Sequence, residues 1–407
     1  MQLSQPFVLG VNYWPRRKAM YWWSDFDTAE VREEFGLIRD LGMRLVRIFL
    51  LWDDWQPTPG TVNAAALKHL GTVLDIAHEL GLKLDITFFT GHMSGPNWSP
   101  GWLLETGAPL PPRVMQLVSG GQVVDCGYRN PYTDPTALAA AELLLRTVVG
   151  RYHAHPAVGF WNLGNEPDLF AWPPDPTTGR EWVRRMASLI REIDSVHPVT
   201  CGLHMDSIVG DNNLRVHDVF GEVDFAVMHS YPMYTPWARG PLDPDFVPFS
   251  CALTAALSGK PVLMEEFGGC TNAPGLPSDV WEWTAYGQPR TQYMASEEAL
   301  ADYLESVLPR LINVGATGAV LWCFADYAPE LWDRPPCKES IHERFFGLVR
   351  PDGSLKPHAE VIKRFAATDP VVCPPVHTVE LDITPEAYYA DPSGNAIRFY
   401  EKFLANR

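Results

Sequence analysis

The stretch VGFWNLGNEPDLF, residues 158–170, begins as an apolar and aromatic run and ends in Asn165, Glu166 and Pro167. An apolar run of this length that is bounded by polar residues and proline predicts a buried strand of a parallel sheet. The end of the run places an amide and a carboxyl where the strand leaves the core, and the proline stops the strand from continuing. Strands also end in this way for structural reasons alone, so the rest of the chain decides what this end means.

Seven further segments have the same apolar, β-branched or aromatic character: 7–14, 44–52, 83–90, 198–204, 223–231, 260–268 and 318–326. Helical patterns alternate with them at 28–41, 63–80, 136–154, 178–196, 247–258, 296–314 and 356–367, and the pattern between 204 and 223 is the weakest. Eight such units predict an α/β fold, the (β/α)₈ TIM barrel. A doubly wound sheet is the alternative, but the first strand is followed by GVNYWPRR and not by a phosphate-binding glycine fingerprint.

The connecting segments differ in length at the two ends of the predicted strands. Those that follow strands are long (91–133, 269–290 and 326–354), whereas those that lead into strands are short. In a barrel of this kind, long loops at the carboxyl ends of the strands mark the active face. We expect residues 1–369 to form the barrel and residues 370–407 to form a small C-terminal extension packed on it.

Composition and charge exclude some classes of partner. The 407 residues carry 32 basic and 49 acidic side chains, for a net charge of −17, which argues against nucleic acid and anionic membranes. No apolar stretch approaches the ~18 residues of a membrane span. The N-terminus has no signal-peptide pattern, and the seven scattered cysteines are typical of reduced thiols. These features favour a cytoplasmic protein with a neutral substrate such as a carbohydrate, and they leave the oligomeric state open.

Polar residues cluster at the carboxyl ends of the predicted strands, where a barrel points them into its mouth. Carboxyls from strands four and seven, Glu166 and Glu265 or Glu266, would face each other there. Such a pair suits the cleavage of an acetal, since one carboxylic acid protonates the leaving oxygen while the other carboxylate attacks the anomeric carbon. We expect a raised pKa for the acid and an ionised nucleophile that lies near Arg47 and Tyr231.

Two motifs carry a resemblance to a known family. NLGNEPD (162–168) and KPVLMEEFGG (260–269), together with VRIF (46–49), HSYP (229–232) and LWCF (321–324), resemble the clan A retaining glycoside hydrolases. The likeness is greatest to family 5, in its β-mannanase and β-mannosidase-like branches, and it covers roughly residues 7–367. A single Asn-Glu-Pro is a weak signal, but the two motifs in a chain with eight β/α units are specific.

The resemblance implies that Glu166 is the acid/base and Glu266, directly before Phe-Gly, the nucleophile. It also implies six residues that bind the sugar or support the carboxyls: Arg47, His92, Asn165, His229, Tyr231 and Trp322. Asn165 would hold the sugar 2-hydroxyl, and Trp322 would form the platform under the sugar whose bond is cleaved. Because successive strand residues point to opposite sides, Glu265 is expected to turn outward.

The sequence thus predicts a retaining β-glycoside hydrolase, without metal or cofactor, that cleaves β-mannosides or β-manno-oligosaccharides by double displacement. A β-glucosidase, β-galactosidase or β-glucanase of the same clan is the alternative. A non-catalytic carbohydrate-binding barrel and a metal-dependent barrel hydrolase are alternatives of other classes. Seven loop tryptophans are candidates for stacking on sugar rings: Trp98, Trp102, Trp172, Trp237, Trp281, Trp283 and Trp332.

Overall fold

The computed structural model describes residues 5–406, which contain eight β/α units. The strands are β1 Val8–Asn12, β2 Leu45–Leu51, β3 Lys83–Thr90, β4 Val158–Asn165, β5 Val199–Gly202, β6 Ala226–His229, β7 Val262–Gly268 and β8 Gly318–Trp322. The helices are α1 Thr28–Asp40, α2 Ala64–Glu79, α3 Pro135–Tyr152, α4 Pro176–Ile193, α5 Val216–Gly221, α6 Phe246–Ser258, α7 Glu297–Asn313 and α8 Pro357–Ala366. Every predicted strand is present, within a few residues of its predicted limits.

The eight strands form one parallel sheet that closes on itself. Its order is β5-β4-β3-β2-β1-β8-β7-β6. The two outer strands meet where the amide of His229 donates to the carbonyl of Leu203 at 3.0 Å and the amide of Met205 donates to the carbonyl of His229 at 3.1 Å. The predicted TIM barrel is therefore confirmed, and a doubly wound sheet, which would stay open, is excluded.

The helices begin where the sequence supplies capping side chains. Asp27, Asn63, Asp134, Asp175 and Ser296 each accept hydrogen bonds from backbone amides in the first turn of the following helix. Such a cap contributes about 1 kcal/mol to helix stability. The apolar residues of these helices recur every three or four positions, so one face of each helix covers the outside of the barrel.

The long loops after the strands contain structure that the sequence did not predict. A hairpin formed by Asp279–Ala285 and Gln288–Met294 follows β7, where a loop was expected. Its two-residue turn, Tyr286-Gly287, has positive φ at both positions, as in the tight turns that suit twisted hairpins. The loop after β3 holds the short strands Asn97–Trp98, Leu104–Glu105, Leu117–Ser119, Gln122–Val124 and Gly127–Tyr128. Short helices lie at Ala19–Tyr21, Trp52–Trp55, Gly101–Leu103, Pro167–Phe170, Asp206–Val209, Pro232–Tyr234, Pro329–Leu331 and Ile341–Phe345.

Residues 370–406 pack along one side of the barrel. The short helix Pro385–Tyr388 precedes α9 Pro392–Ala405, which lies against α6. The rings of Tyr400 and Phe403 contact Phe249 of α6, and the hydroxyl of Tyr389 donates to the carbonyl of Ser207 at 2.7 Å. The extension is thus held against the barrel by buried aromatic contacts and by the hydrogen bond of Tyr389.

Two further features bear on the environment of the protein. Across residues 5–406, none of the helices has both the length and the apolarity to cross a bilayer. All seven cysteines are free thiols, and five of them are buried.

Candidate active site

A cavity of about 460 Å³ lies over the carboxyl ends of the barrel strands. Six of the eight predicted site residues line it: His92, Asn165, Glu166, Tyr231, Glu266 and Trp322. The other two, Arg47 and His229, lie directly beneath them and are completely buried. Residues from strands β2, β4, β7 and β8, and from positions just after β3 and β6, are therefore brought together at one place, as expected from a barrel.

Glu166 owes its direction to an irregular strand end. Between the pairs Asn162–Thr200 and Asn165–Gly202, β4 contains one more residue than β5, so the strand bulges. Glu166 itself has φ 47° and ψ 53°, a left-handed conformation that costs a non-glycine residue roughly 1–2 kcal/mol. The short helix that begins at Pro167 follows at once. Strained backbone of this kind is concentrated at functional sites.

The expectation that Glu265 turns outward was wrong. Met264 pairs with Met228, but Glu266 pairs with the very next residue of β6, His229. The neighbour on the other side, β8, shows the same extra residue in β7. This bulge breaks the alternation of side chains, so both glutamates enter the barrel interior. Glu266 reaches the cavity, whereas Glu265 lies deeper and is completely buried.

Glu266 is surrounded by hydrogen-bond donors. The hydroxyl of Tyr231 donates to its Oε1 at 2.8 Å, and Nη1 of Arg47 donates to its Oε2 at 3.2 Å. The sequence had predicted both neighbours. Donors and a guanidinium at these distances stabilise negative charge on the carboxyl.

His229 lies between three carboxyls. Its Nδ1 is 3.0 Å from Oε1 of Glu166 and 3.5 Å from Oε2 of Glu266, while its Nε2 is 3.0 Å from Oε2 of Glu265. Burial opposes a charged ring, but these carboxylates together raise the pKa of His229 to about 10. The ring is therefore an imidazolium that donates from both nitrogens.

The two candidate catalytic carboxyls are close enough for the charge of one to shift the pKa of the other. One oxygen of Glu166 and one of Glu266 lie within 4.8 Å of each other and of a ring nitrogen of His229. Burial and the charge of Glu166 raise the pKa of Glu266 to about 7, against the opposing effects of His229, Arg47 and Tyr231. Burial also disfavours charge on Glu166, but His204, His229 and His92 outweigh it and lower the pKa of Glu166 to about 2.

This order differs from the expected one, in which the acid alone has the raised pKa. The cause is the set of three histidines, which favour the ionised form of Glu166. Near neutral pH one of them, His204, is neutral, because burial lowers its pKa to about 4. The pair loses its protons in two steps, and between those steps the two carboxyls hold one proton. One protonated and one ionised carboxyl is the state that double displacement requires.

The remaining predicted residues present hydrogen-bonding groups to the cavity. The amide nitrogen of Asn165 donates to the carbonyl of His92 at 2.9 Å, which leaves its Oδ1 without a protein partner. That oxygen is available to accept a hydrogen bond from a hydroxyl group of a ligand. Nε2 of His92 lies 3.7 Å from Oε2 of Glu166, and the indole of Trp322 forms part of the cavity wall.

Other lining residues were missed in the sequence. They include Ser94, Arg113, His204, Tyr234, Tyr286, Arg290, His342 and Glu343. His204 follows β5, as His92 follows β3, so the rule of strand ends would have found it. The others lie on loops and on the hairpin, whose folding has no simple sequence signal. Of the seven loop tryptophans, only Trp283 lines the cavity.

Comparison with known proteins identifies the family. Residues 113–368, more than half of the chain, match the family model described as "Glycosyl hydrolases family 2, TIM barrel domain". Residues 20–172 match a second model, described as "Beta-galactosidase".

Two curated relatives are similar to part of the chain. Mannan endo-1,4-beta-mannosidase A of Hypocrea jecorina is 27% identical over 314 residues, which cover 64% of each chain. Mannan endo-1,4-beta-mannosidase 3 of Arabidopsis thaliana is 27% identical over 253 residues, which cover 54% of this chain and 57% of that one. The chain therefore spans less than two thirds of the length of these two relatives.

Solved structures have the same barrel. An exo-beta-1,4-mannosidase from Opitutaceae bacterium strain TAV5 matches with a TM-score of 0.72 and 25% identity, over 90% of this chain and 60% of that one. A GH5_18 protein from Streptomyces cattleya, in complex with GlcNAc, matches with a TM-score of 0.79 and 21% identity, over 99% and 91%. At that identity the second likeness shows the fold alone. The mannanase relatives and structural neighbours support a GH5-like glycoside hydrolase barrel of clan A, and the chain belongs to the family described as glycosyl hydrolases family 2, TIM barrel domain.

Proposed function

We propose that the protein is a retaining glycoside hydrolase that acts on β-mannosides or short β-manno-oligosaccharides. The observation that carries the proposal is the separation of the two carboxyls, whose nearest oxygens lie within 4.8 Å of each other. Retaining enzymes hold their carboxyls about 5–5.5 Å apart, whereas inverting enzymes need roughly 6.5–9.5 Å to admit a water.

The geometry supports a role for each carboxyl. Glu266, with Arg47 and Tyr231 to stabilise its charge, attacks the anomeric carbon and forms a covalent glycosyl ester. In the same step Glu166 gives its proton to the glycosidic oxygen, and the C–O bond to the leaving group breaks. A water then enters, Glu166 takes a proton from it, and the hydroxide attacks the anomeric carbon and releases Glu266.

The choice of mannosides rests on the relatives, since three of the four proteins quoted above have mannosidase in their names. A GH5_18 structure from Bifidobacterium longum contains Manb1-4GlcNAc. Residues of the hairpin 279–294 and of the loop after β3 line the cavity, which favours short substrates. A β-glucosidase or β-galactosidase of the same clan remains the alternative. The location is a separate point, and the free thiols support a cytoplasmic one.

A metal-dependent hydrolase is the second candidate, because Glu166, His229 and Glu266 offer three converging donor atoms. Arg47 argues against it. Its Nη1 lies 3.2 Å from Oε2 of Glu266 and 3.3 Å from Nε2 of His229, so a cation would be placed beside a buried guanidinium. Activity that survives EDTA would exclude this candidate.

The test is a panel of p-nitrophenyl β-glycosides (mannoside, glucoside, galactoside and xyloside) with wild type, Glu266→Ala and Glu166→Ala. We expect mannoside to be cleaved best and the product to keep the β configuration at first, as read by NMR. Glu266→Ala should lose at least about 10⁴-fold in kcat and recover with azide as the α-mannosyl azide, whereas Glu166→Ala should yield the β-azide.

Two results would contradict the proposal. An α-configured first product would show inversion. Failure to cleave any glycoside, including manno-oligosaccharides of increasing length, would favour the non-catalytic carbohydrate-binding barrel.

A further inference from the structure

A third carboxyl lies in the wall of the cavity. Glu343, in the short helix Ile341–Phe345, is only 8% exposed and lines the cavity together with its neighbour His342 and with Ser94 from the loop after β3. The mechanism above uses none of these three residues.

Each of the three has a buried polar atom without a protein partner: Oε2 of Glu343, Oγ of Ser94 and Nδ1 of His342. Buried polar groups almost always have a hydrogen-bond partner, because an unpaired one loses its hydration without compensation. Three such atoms on one wall of a cavity indicate that a polar ligand supplies the missing bonds.

Glu343 is suited to bind neutral hydroxyls. Burial, with the charges of Glu266 and Glu166, raises the pKa of Glu343 to about 8, although the nearby polar groups of Ser94 and Trp322 oppose the shift. The carboxyl is therefore a neutral acid at pH 7, which both donates and accepts a hydrogen bond. His342 is a neutral ring, since burial lowers its pKa to about 4.

The segment that carries Glu343 is fixed from behind. The buried ammonium of Lys356 donates to the carbonyl of Phe345 at 3.1 Å, to Oδ1 of Asp326 at 2.7 Å and to Oγ1 of Thr271 at 2.7 Å. On the other side, the hydroxyls of Tyr286 and Ser340 lie 2.8 Å apart and join the segment to the hairpin. A site whose side chains are held in this way loses little conformational entropy when it binds a ligand.

We propose that Glu343, assisted by Ser94, binds hydroxyls of the sugar that lies on Trp322 and thereby determines which glycone the enzyme accepts. Trp322 and Glu343 line the same cavity, so a ring that lies on the indole occupies the space that Glu343 also borders. The inference rests on the proposed function for the identity of this sugar as mannose. It adds a specificity residue to the cavity that Asn165 also lines.

The experiment compares Glu343→Leu, which is unable to form hydrogen bonds, with Glu343→Gln, which keeps a donor and an acceptor. The substrates are p-nitrophenyl β-mannoside and its 3-, 4- and 6-deoxy analogues at pH 6. We expect Glu343→Leu to lose about 10- to 100-fold in kcat/KM on the parent substrate and Glu343→Gln less than about threefold. The loss in Glu343→Leu should vanish on the analogue that lacks the bound hydroxyl.

Controls separate binding from folding. Glu330 is an exposed carboxyl on the same long loop, so Glu330→Leu should behave as wild type. If Glu343→Leu does not fold, Ser94→Ala serves instead and should show a smaller loss on the same analogue. Titration of β-1,4-mannobiose into Glu166→Gln, with and without Glu343→Leu, measures the binding loss without catalysis.

The outcomes distinguish this inference from the proposed function. An equal loss on every analogue would show a structural role and overturn the inference while hydrolysis stands. A Glu343→Leu variant with wild-type kcat/KM would also overturn it. If wild type neither cleaves nor binds any mannoside but cleaves another glycoside, the proposed mannosidase is wrong, and the deoxy analogues of that glycoside test Glu343. No binding of any saccharide would overturn both.

Discussion

At the floor of the cavity, six ionisable side chains share one buried space: Arg47, Asp85, Glu166, His229, Glu265 and Glu266. Burial and the charge of Glu265 raise the pKa of Asp85 well above its usual range, against the effect of Arg47, and this favours the neutral form of Asp85. Burial opposes charge on Glu265 also, but Arg47 and His229 outweigh it and lower its pKa. With Asp85 neutral, the positive charges of Arg47 and His229 are balanced by Glu265 and by one carboxylate of the Glu166–Glu266 pair, provided that the pair keeps one proton. Electrostatic balance and the chemistry of the pair therefore favour the same protonation state.

This balance predicts the pH dependence. The upper pKa of the pair is about 7, so above that pH both carboxyls are ionised and no proton is left for the leaving group. We expect kcat/KM for p-nitrophenyl β-mannoside to fall as the pH rises through about 7 and to recover fully when the pH is returned. A 2,4-dinitrophenyl mannoside, whose leaving group needs little protonation, should show a weaker fall. A flat profile to pH 9 would contradict the shared proton.

Among the secondary-structure elements, the barrel strands were predictable and their bulges were not. Near-continuous apolar runs such as 44–52 and 158–164 identify a strand because burial on both faces leaves no room for polar residues. The inward turn of Glu265 depends on one extra residue in β7 relative to β6 and β8, and pairing register is a property of three strands together. Glu166 and Glu266 were found because their motifs are local, whereas Glu343 lies on a loop that no local pattern describes.

The hairpin 279–294 gives a test at this scale. It contributes Trp283, Tyr286, Arg290 and Gln292 to the cavity. Replacing 279–294 by Gly-Gly should raise KM for short mannosides about tenfold, since stacking and polar contacts to the ligand are lost, while kcat stays within about threefold. Glu282→Ala and Thr284→Ala, on the exposed side of the hairpin, should leave KM unchanged. A large fall in kcat at constant KM would instead show that the hairpin positions the catalytic carboxyls.

For the whole molecule, the net charge of −17 has a consequence for the rate of substrate capture. A strong field accelerates or repels charged ligands, and salt screens it with a Debye length of about 10 Å at 0.1 M. A neutral sugar feels no such field. We therefore expect kcat/KM for p-nitrophenyl β-mannoside to change by less than about twofold between 0.02 and 0.5 M NaCl, a range chosen around that screening length. A steep dependence on salt would indicate a charged substrate.

The position of His229 between Glu166 and Glu266 also bears on timing during turnover. When Glu266 becomes an ester, its negative charge disappears while the imidazolium keeps its own. Glu166 then lies beside the His229 imidazolium but no longer beside a charged Glu266. The pKa of Glu166 therefore falls as soon as Glu166 has donated its proton to the leaving group. The proton therefore does not return to it until water supplies one. Formation of the covalent bond at one carboxyl thus prepares the other to act as a base, without any movement of the backbone.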